Sequence, residues 1–280
     1  MPANTTPIIQ VIERRIAEDP RGRGIGNLVQ WGALESAARV LVDSQPVLIM
    51  SGFFLMGPQA GETDGPPGAK ALGDALGALG KPVHHVTDAR NLPLYLAMGL
   101  ADTQVYRPGL LDELSPGQVV SIERPGRAAD GRYYSMFGKD ITAVTPPLDA
   151  LFLEARERGL PTVGIGDGGN EVGMGNVAER VRKDVPHGEV IACVVECDHL
   201  IVSGVSNFGA YGLVAALELV TGRPLLPTPD SAARDVEACV AGGGCCGQTY
   251  VRAPVVDGLP LEATRALVAE LARMARNGKA

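Results

Sequence analysis

Short, uninterrupted apolar runs recur along this chain of 280 residues, and most are followed by a glycine-containing turn and a helix-like segment. Runs of this kind are Pro46–Phe54, Pro82–Thr87, Gln118–Glu123, Pro161–Ile165 and Glu189–Glu196. Strands that are apolar on both faces are typical of parallel sheets covered by helices on both sides. We therefore predict an α/β fold with a mostly parallel sheet in three layers, as in Rossmann-like proteins.

The remaining periodic segments predict the helices. Four should follow strands of the sheet and three should lie near the chain ends: Pro67–Leu79, Pro146–Arg158, Asn170–Lys183, Ser206–Val220, Pro7–Glu18, Gly32–Val42 and Leu261–Asn277. We predict a single domain over residues 1–280. It should comprise an N-terminal helical segment (1–45), an α/β core (46–221) and a C-terminal appendage (222–280) that begins at a proline-rich linker.

The charge balance narrows the function classes. The net charge is −7 and no basic run is long enough to follow a phosphate backbone, so we expect no nucleic-acid partner. No apolar run approaches the roughly 20 residues of a membrane span, and the N-terminus lacks the pattern of a secretion signal. The five cysteines lack zinc-ribbon spacing. We expect a cytoplasmic protein that acts on a small molecule, and a homodimer is the default expectation for its assembly.

A glycine-rich stretch, residues 163–175 (VGIGDGGNEVGMG), follows one predicted strand. Gly164, Gly166 and Gly169 satisfy the G-x-G-x-x-G pattern, so an NAD(P)-dependent oxidoreductase is one interpretation, with Glu196 or Asp198 as the ribose-binding acid. Two features oppose it. The carboxylate of Asp167 would face the pyrophosphate, and the pattern occurs after three predicted strands instead of at the start of the fold.

A second interpretation of this stretch is a site for a small zwitterion. Backbone amides of Gly168 and Gly169, with the side chain of Asn170, would bind carboxylate oxygens, since glycine lets the backbone approach a ligand closely. Asp167 and Glu171 would bind a cation, either an ammonium group or a metal ion. A simple turn in which Asp167 caps the following helix remains an alternative.

Other polar clusters follow predicted strands, where ligands of such sheets bind. The first contains Glu62, Thr63, Asp64 and Gly65, and helix capping accounts for part of it. A basic cluster follows the third strand, and its guanidinium groups suit an anionic substrate or, alternatively, surface ion pairs: Arg124, Arg127, Arg132 and Lys139. A third cluster contains Ser206 and Asn207, of which one should cap the next helix and the other contact a ligand.

Three long motifs resemble the D-glutamate cyclase family: residues 62–69 (ETDGPPGA), residues 121–127 (SIERPGR) and residues 164–175 (GIGDGGNEVGMG). The shorter segments 23–26 (RGIG) and 256–260 (VDGLP) fit the same family. The resemblance covers roughly residues 10–270. It implies a hydro-lyase that converts D-glutamate into 5-oxo-D-proline and water. A non-catalytic protein that binds an acidic amino acid is the third interpretation.

For that reaction we expect Asp167 or Glu171 to take the proton of the amine and Asp64 or Glu62 to protonate the departing oxygen. Amides of Gly65, Gly168 and Gly169 would hold carboxylate oxygens, with Arg124 as the charge partner. No cofactor is required in principle, because the reaction joins groups of one molecule. A divalent cation, magnesium or manganese, on Asp167 and Glu171 is the alternative to this proton chemistry.

Overall fold

The computed structural model describes residues 5–43 and 45–278. Six of its strands form one sheet, and two short strand pairs complete the β structure of the described residues. The strands are β1 (Val47–Ser51), β2 (Phe54–Leu55), β3 (Ala60–Gly61), β4 (Val83–Thr87), β5 (Gln104–Val105), β6 (Gln118–Ile122), β7 (Thr162–Gly166), β8 (His199–Val202), β9 (Val255–Val256) and β10 (Leu259–Pro260).

The helices of the described residues cover both faces of the sheet and both ends of the chain. They are α1 (Thr6–Ile16), α2 (Ala33–Asp43), α3 (Pro66–Ala78), α4 (Leu92–Ala97), α5 (Leu110–Leu114), α6 (Asp149–Glu157), α7 (Ala178–Asp184), α8 (Gly188–Ile191), α9 (Ser206–Thr221), α10 (Pro229–Ala241) and α11 (Leu261–Asn277). Short 3₁₀ turns lie at Ile25–Leu28, Thr142–Val144 and Gly175–Val177.

The sheet order is β5-β4-β1-β6-β7-β8, and every pairing between neighbours is parallel. Alternate residues of β1 lie in two different hydrophobic cores, one on each face of the sheet. Val47 and Ile49 pack with α1, α2, α3, α9 and α11, whereas Leu48 and Met50 pack with α5 and α6. Helices therefore cover both faces, and the predicted three-layer α/β fold with extra terminal helices is confirmed.

Local sequence explains the helix that follows β1. Helix α3 begins at Pro66 and Pro67, whose fixed φ suits the first turn, and the chain turns away at Gly80 with a φ of +79°. Ala69, Leu72 and Leu76 recur at helical spacing and are buried. Helix α9 has a different pattern because residues 206–219 are all buried, which places this helix inside the fold.

The prediction of a helix over Asn170–Lys183 is wrong in its first half. Residues 170–174 form a turn with isolated bridges to neighbouring loops, and the helix α7 begins only at Ala178. The amide of Val172 donates to the carbonyl of Arg124 (2.8 Å), and the amide of Gly173 donates to the carbonyl of Val195 (2.9 Å). These long-range bonds, together with a φ of +99° at Gly173, replace the first helical turns.

The predicted strand Glu189–Glu196 is also wrong. Residues 188–191 form α8, the segment that follows pairs with loops only, and the sheet strand is β8 at His199–Val202. Its apolar run misled the prediction because Cys193 and Val195 are buried against loop residues, and a short apolar run does not distinguish strand from loop.

These two corrections argue against the NAD(P)-dependent oxidoreductase interpretation, which requires a helix that begins at the glycine loop and an acid at the carboxyl end of the next strand. No helix begins at the glycine loop, so its amides do not form a helix N-terminus. Glu196 and Asp198 precede β8 and so lie at the amino ends of the strands, away from the glycine loop. There the Asp198 carboxylate accepts hydrogen bonds from the amide and hydroxyl of Thr162 (2.8 and 2.7 Å). The division of the chain into segments at residues 45 and 221 stays a prediction.

Candidate active site

A pocket lies at the carboxyl edge of the sheet, outside β1, β6 and β7. Successive connections from β1 run first to β4 and later to β6 on its other side, so the pocket lies where the strand order reverses. Parallel sheets bind ligands at this position. The pocket has about 420 Å³ of atom-free space, part of it open to solvent. Five carboxyl side chains line it: Glu62, Glu123, Asp167, Glu171 and Asp257.

Asp64 lies behind this pocket, between the N-termini of α3 and α9. Its carboxylate accepts hydrogen bonds from the amides of Ser206 (2.9 Å) and Asn207 (2.7 Å), at the start of α9. In return, the side-chain oxygen of Asn207 accepts from the amides of Gly65 and Gly68 at the start of α3, both at 2.9 Å. Each helix thus receives its cap from the other, which holds the loop after β1 in place.

Thr63 and Gly65 shape the same loop. The Thr63 hydroxyl donates to the carbonyl of Val255 (2.7 Å) and so ties the loop to the C-terminal segment. Gly65 has a φ of +100°, and a β-carbon there would lie 2.7 Å from the hydroxyl of Ser51 and 2.8 Å from the β-carbon of Glu123. Position 65 therefore requires glycine both for its backbone conformation and for space.

Glu123 follows β6 directly and adopts a left-handed backbone conformation, with a φ of 45°. Its carboxylate accepts a hydrogen bond from the hydroxyl of Ser206 and is buried. Tyr250 and Asp257, also on the pocket wall, have φ values of 56° and 47°. Non-glycine residues in this region cost free energy and persist where the surroundings fix them, which is frequent at functional sites.

The glycine loop uses its amides on its own acid. The amides of Gly168 and Gly169 each donate to the carboxylate of Glu171 at 2.8 Å. A β-carbon at position 168 would lie 2.8 Å from both Glu171 and Asn170, so the loop closes only around glycine. Asn170 lines the pocket, while its side-chain amide donates to the carbonyl of Tyr134 (2.8 Å). The two amides that we expected to bind substrate thus orient Glu171.

Arg23 brings a cation to this group of acids. One terminal nitrogen of its guanidinium lies 3.1 Å from Asp167 and 3.0 Å from Asp257, and the same nitrogen donates to the carbonyl of Gly204 (2.7 Å). Burial lowers the pKa of Arg23, but the two carboxylates outweigh this effect and raise it above its ordinary value. Arg23 stays charged and joins the loop after β7 to the C-terminal hairpin of β9 and β10.

The pKa values of the acids in the pocket are raised, because these acids are buried and lie close to one another. Burial and the charge of Asp167 raise the pKa of Glu171 to about 7, and the same two causes raise that of Asp257 to about 7. Burial first, and neighbouring carboxylates second, raise the pKa values of Glu62 and Glu123 well above their usual range. Several protons therefore remain in the pocket near neutral pH, which equips it to give and take protons.

Asp64, together with two of the acids that line the pocket, could also hold a cation. Oxygen atoms of Asp64, Glu123 and Asp167 lie within 4.8 Å of one another, and all three side chains are buried. Carboxylate oxygens at this separation suit one hard divalent ion bound at roughly 2.0–2.6 Å from each ligand. We expected Asp167 and Glu171 to form this site. The group found among the described residues contains Asp167 but places Asp64 and Glu123 beside it.

Burial and the charges of Asp167 and Asp257 also raise the pKa of Asp64 well above its usual range, although the amides of Asn207 and Ser206 lower it. The two effects oppose each other because the amides favour the ionised form and burial disfavours it. A bound cation would act in the same direction as the amides. Asp64 is thus the acid whose ionisation depends most on what occupies the site.

The two arginines that we expected at the substrate lie elsewhere. The Arg124 guanidinium is buried, pairs with Asp88, and donates to the carbonyls of Gly52 (2.7 Å) and Pro146 (2.6 Å). Arg127 forms two hydrogen bonds with Asp149 (2.7 and 3.1 Å). Neither lines the pocket. Both stabilise the loops around the site instead, because they hold carboxylates and carbonyls of the protein.

Sequence reasoning did not assign Glu123, Arg23 or Asp257 to the site. Each lay within a motif that carried the family resemblance: Glu123 in SIERPGR, Arg23 in RGIG and Asp257 in VDGLP. Glu123 had a further signal, since it is the first residue after a predicted strand. Arg23 and Asp257 come from the two ends of the chain, and no local pattern predicts that they meet.

The fold and the pocket define an α/β protein with a carboxyl-lined pocket at the point of a parallel sheet where the strand order reverses. A sequence profile described as "D-glutamate cyclase-like, C-terminal" matches residues 12–272. The chain belongs to this family, as the resemblance predicted. No helix among the described residues combines the length and apolar character needed to cross a membrane.

Two individual proteins are similar to the chain. It is 40% identical over 240 residues to "D-glutamate cyclase, mitochondrial" of Homo sapiens, a match that covers 76% of this chain and 39% of the relative. The chain thus spans about two fifths of that relative's length. A crystal structure described as an exopolyphosphatase-related protein from Bacteroides fragilis aligns with 88% of this chain and 60% of its own, at a TM-score of 0.40 and 12% identity.

Proposed function

We propose that the chain is a hydro-lyase that cyclises glutamate, in the D configuration, to 5-oxoproline with release of water. The observation that carries this proposal is the group of buried carboxyl side chains that meet in one pocket of a family member. The name of the human relative supports the substrate and its configuration. The reaction needs groups that both accept and donate protons near neutral pH, and acids with raised pKa values supply them.

Glu171 is our choice for the group that takes a proton from the ammonium. It lines the pocket, and its pKa of about 7 allows it to be ionised before the reaction and protonated during it. The Gly168 and Gly169 amides fix the direction of its carboxylate. Asp167, the other candidate, already forms an ion pair with Arg23 at 3.1 Å, so its carboxylate is held by a group of the protein.

Glu62 is our choice for the acid that protonates the departing oxygen. Its carboxyl group lines the pocket, and its pKa lies well above the usual range because of burial and the nearby Asp64. The raised pKa favours the protonated form of Glu62, which is the form that can donate a proton. Asp64, the other candidate, accepts three backbone hydrogen bonds and does not line the pocket, so we assign it a positioning role.

The negative charge of the substrate is a reason to consider a bound cation. Glutamate brings two carboxylates and one ammonium to a pocket that already contains five carboxyl groups and Arg23. Magnesium or manganese held by Asp64, Glu123 and Asp167 would offset this charge and polarise the reacting carboxyl group. The residues present fit such an ion, and both versions remain open: protons held by the acids, or a divalent cation.

The deciding experiment is incubation of the purified protein with each enantiomer of glutamate, followed by chiral detection of 5-oxoproline. We expect 5-oxo-D-proline from D-glutamate only. Glu171→Gln should lower kcat at least 100-fold, as expected for a lost general base, whereas the exposed control Glu179→Gln should retain full turnover. Binding of D-glutamate without turnover would show a non-catalytic amino-acid-binding protein instead.

Two arms of the same assay test the remaining choices. Full activity after prolonged chelation would exclude the cation version, and restoration by magnesium or manganese would exclude the metal-free one. Glu62→Gln should lower kcat with little change in KM, because the acid acts on the departing oxygen in the transition state.

We further propose a homodimer in a cytoplasmic setting, with no nucleic-acid partner. The acidic net charge of −7 supports the last point. The human relative is named mitochondrial, so location needs its own test. Light scattering of the purified protein would measure the oligomeric state, and microscopy of the tagged chain would show its compartment.

A further inference from the structure

A second chamber adjoins the acidic pocket. Its walls are mostly apolar, and we call it the outer chamber: Phe53, Phe54, Leu55, Met56, Ile141 and Lys139 bound it, and its atom-free space is about 480 Å³, part of it open to solvent. Phe53, Leu55, Ser135 and Tyr250 line both spaces, so the acidic pocket and the outer chamber form one continuous cleft.

The outer chamber lies at the solvent end of this cleft. Met56 is 39% exposed and Tyr250 is 43% exposed, whereas Glu123 and Glu171 at the acidic end are buried. A group that leaves the acidic pocket can depart through the outer chamber. The chamber is apolar enough to bind an aliphatic group during that departure.

Lys139 is the one cation among the residues that line the outer chamber. Within the described part of the chain, its ammonium has no carboxylate partner at ion-pair distance, whereas Arg132 on the same loop pairs with Asp140. The chamber therefore presents an apolar surface and an unused positive charge. Free glutamate bound in the acidic pocket, as proposed above, would use neither.

We infer that the site also cyclises γ-glutamyl amides, releasing an amino acid in place of water. This inference rests on the proposed function, since the acidic pocket must still bind the glutamyl part. The amino acid on the amide would place its apolar side chain against Phe53, Phe54 and Ile141 and its carboxylate near Lys139. Charge complementarity and the continuity of the cleft are the grounds for choosing this occupant.

The chemistry balances without an oxidant or a second substrate. The glutamyl nitrogen attacks the γ-carbonyl carbon, a new C–N bond closes the ring, and the original amide C–N bond breaks. The ammonium loses two protons on becoming the lactam N–H, and the departing nitrogen gains two protons and leaves as an ammonium group. Glu171 accepts one of the protons lost and Glu62 donates one of the protons gained, as in the reaction with glutamate, and the second proton on each side is exchanged with solvent water.

The test uses three dipeptides made from the glutamate enantiomer that the protein cyclises: γ-glutamyl-leucine, γ-glutamyl-glycine and γ-glutamyl-leucinamide. We expect equimolar 5-oxoproline and leucine from the first, with a KM about tenfold below that of the glycine compound because the isobutyl group is bound in the chamber. Cyclisation of free glutamate without release of leucine would overturn this inference and leave the proposed function standing. Failure with both substrates would overturn the two together.

Lys139→Met tests the contact of the leaving group. It should raise KM for γ-glutamyl-leucine roughly threefold, the size expected for a partly exposed ion pair, and leave kcat unchanged. KM for γ-glutamyl-leucinamide, which lacks the carboxylate, should not change. The matched control is Arg132→Met on the same loop. An equal effect of Lys139→Met on both dipeptides, or an equal effect of the control, would refute the role of Lys139.

Discussion

Replacement of Glu171 by glutamine should change how the stability of the protein depends on pH. Burial and Asp167 raise the pKa of Glu171 from 4.5 to about 7 in the folded state. The folded state therefore keeps a proton that the unfolded chain releases, and stability falls as pH rises from about 4.5 through 7. The shift is about 2.5 units, which corresponds to about 3 kcal/mol in the free energy of unfolding.

Glu171→Gln removes this dependence. Glutamine offers one oxygen where the carboxylate accepts from both Gly168 and Gly169, so the variant loses part of a hydrogen-bond pair at every pH, at a cost of about 1–3 kcal/mol. That cost is independent of pH. The stability of the variant relative to the wild type should therefore increase by about 3 kcal/mol between pH 4.5 and 7.5.

The assay is urea denaturation at half-unit pH steps, in the presence of a chelator, with linear extrapolation to water. The exposed Glu179→Gln serves as the control and should run parallel to the wild type. A constant difference between Glu171→Gln and the wild type across this pH range would refute the reasoning, because it would mean that Glu171 ionises in the folded protein as it does in the unfolded chain.

Two further substitutions test how the pocket is built. A β-carbon at Gly247 would lie 1.7 Å from a carboxylate oxygen of Glu62, so Gly247→Ala should displace that acid. In the 5-oxoproline assay this variant should lower kcat at least tenfold. The control Gly77→Ala, whose β-carbon meets nothing within 4 Å, should leave kcat unchanged. Arg124→Met leaves the buried carboxylate of Asp88 without its cationic partner and should lower the free energy of unfolding by about 3–5 kcal/mol. Adding Asp88→Asn should recover part of that loss, because asparagine removes the charge and keeps an acceptor for the amides of Arg90 and Asn91.

The sequence predicted the sheet well because apolar runs and glycine turns are local signals. β1, β4 and β6 each lie within a predicted run, β7 extends one residue beyond its run, and α3 and α11 match their predicted segments within a residue or two. The same local reasoning missed β8 because the apolar residues before it pack against loops. Periodicity reports burial, and it does not report which neighbour causes that burial.

The sequence likewise predicted the site residues that follow from local signals and missed the pairings between distant segments. Strand ends predicted Glu62, Asp167 and Glu171, since the carboxyl ends of parallel strands meet at one edge. Arg124 was predicted to face the substrate because an arginine after a strand suits an anion. Its partner Asp88 follows a different strand, and no pattern within the motif reveals that pairing.

Charge sets the strongest constraint on any mechanism for this pocket. With five carboxyl groups and Arg23 on its wall, ionised glutamate binds only if the acids hold protons or a cation offsets them. The two cases differ in their dependence on pH. If protons supply the balance, kcat/KM should pass through a maximum near pH 7, because Glu171 must lose its proton to act as the base, whereas Asp257 must keep its proton to admit the substrate. If a cation supplies it, added magnesium or manganese should extend activity to higher pH, because ionised Asp64, Glu123 and Asp167 are then its ligands. An activity that falls above pH 7 regardless of added cation would leave the protonated acids as the groups that admit the substrate.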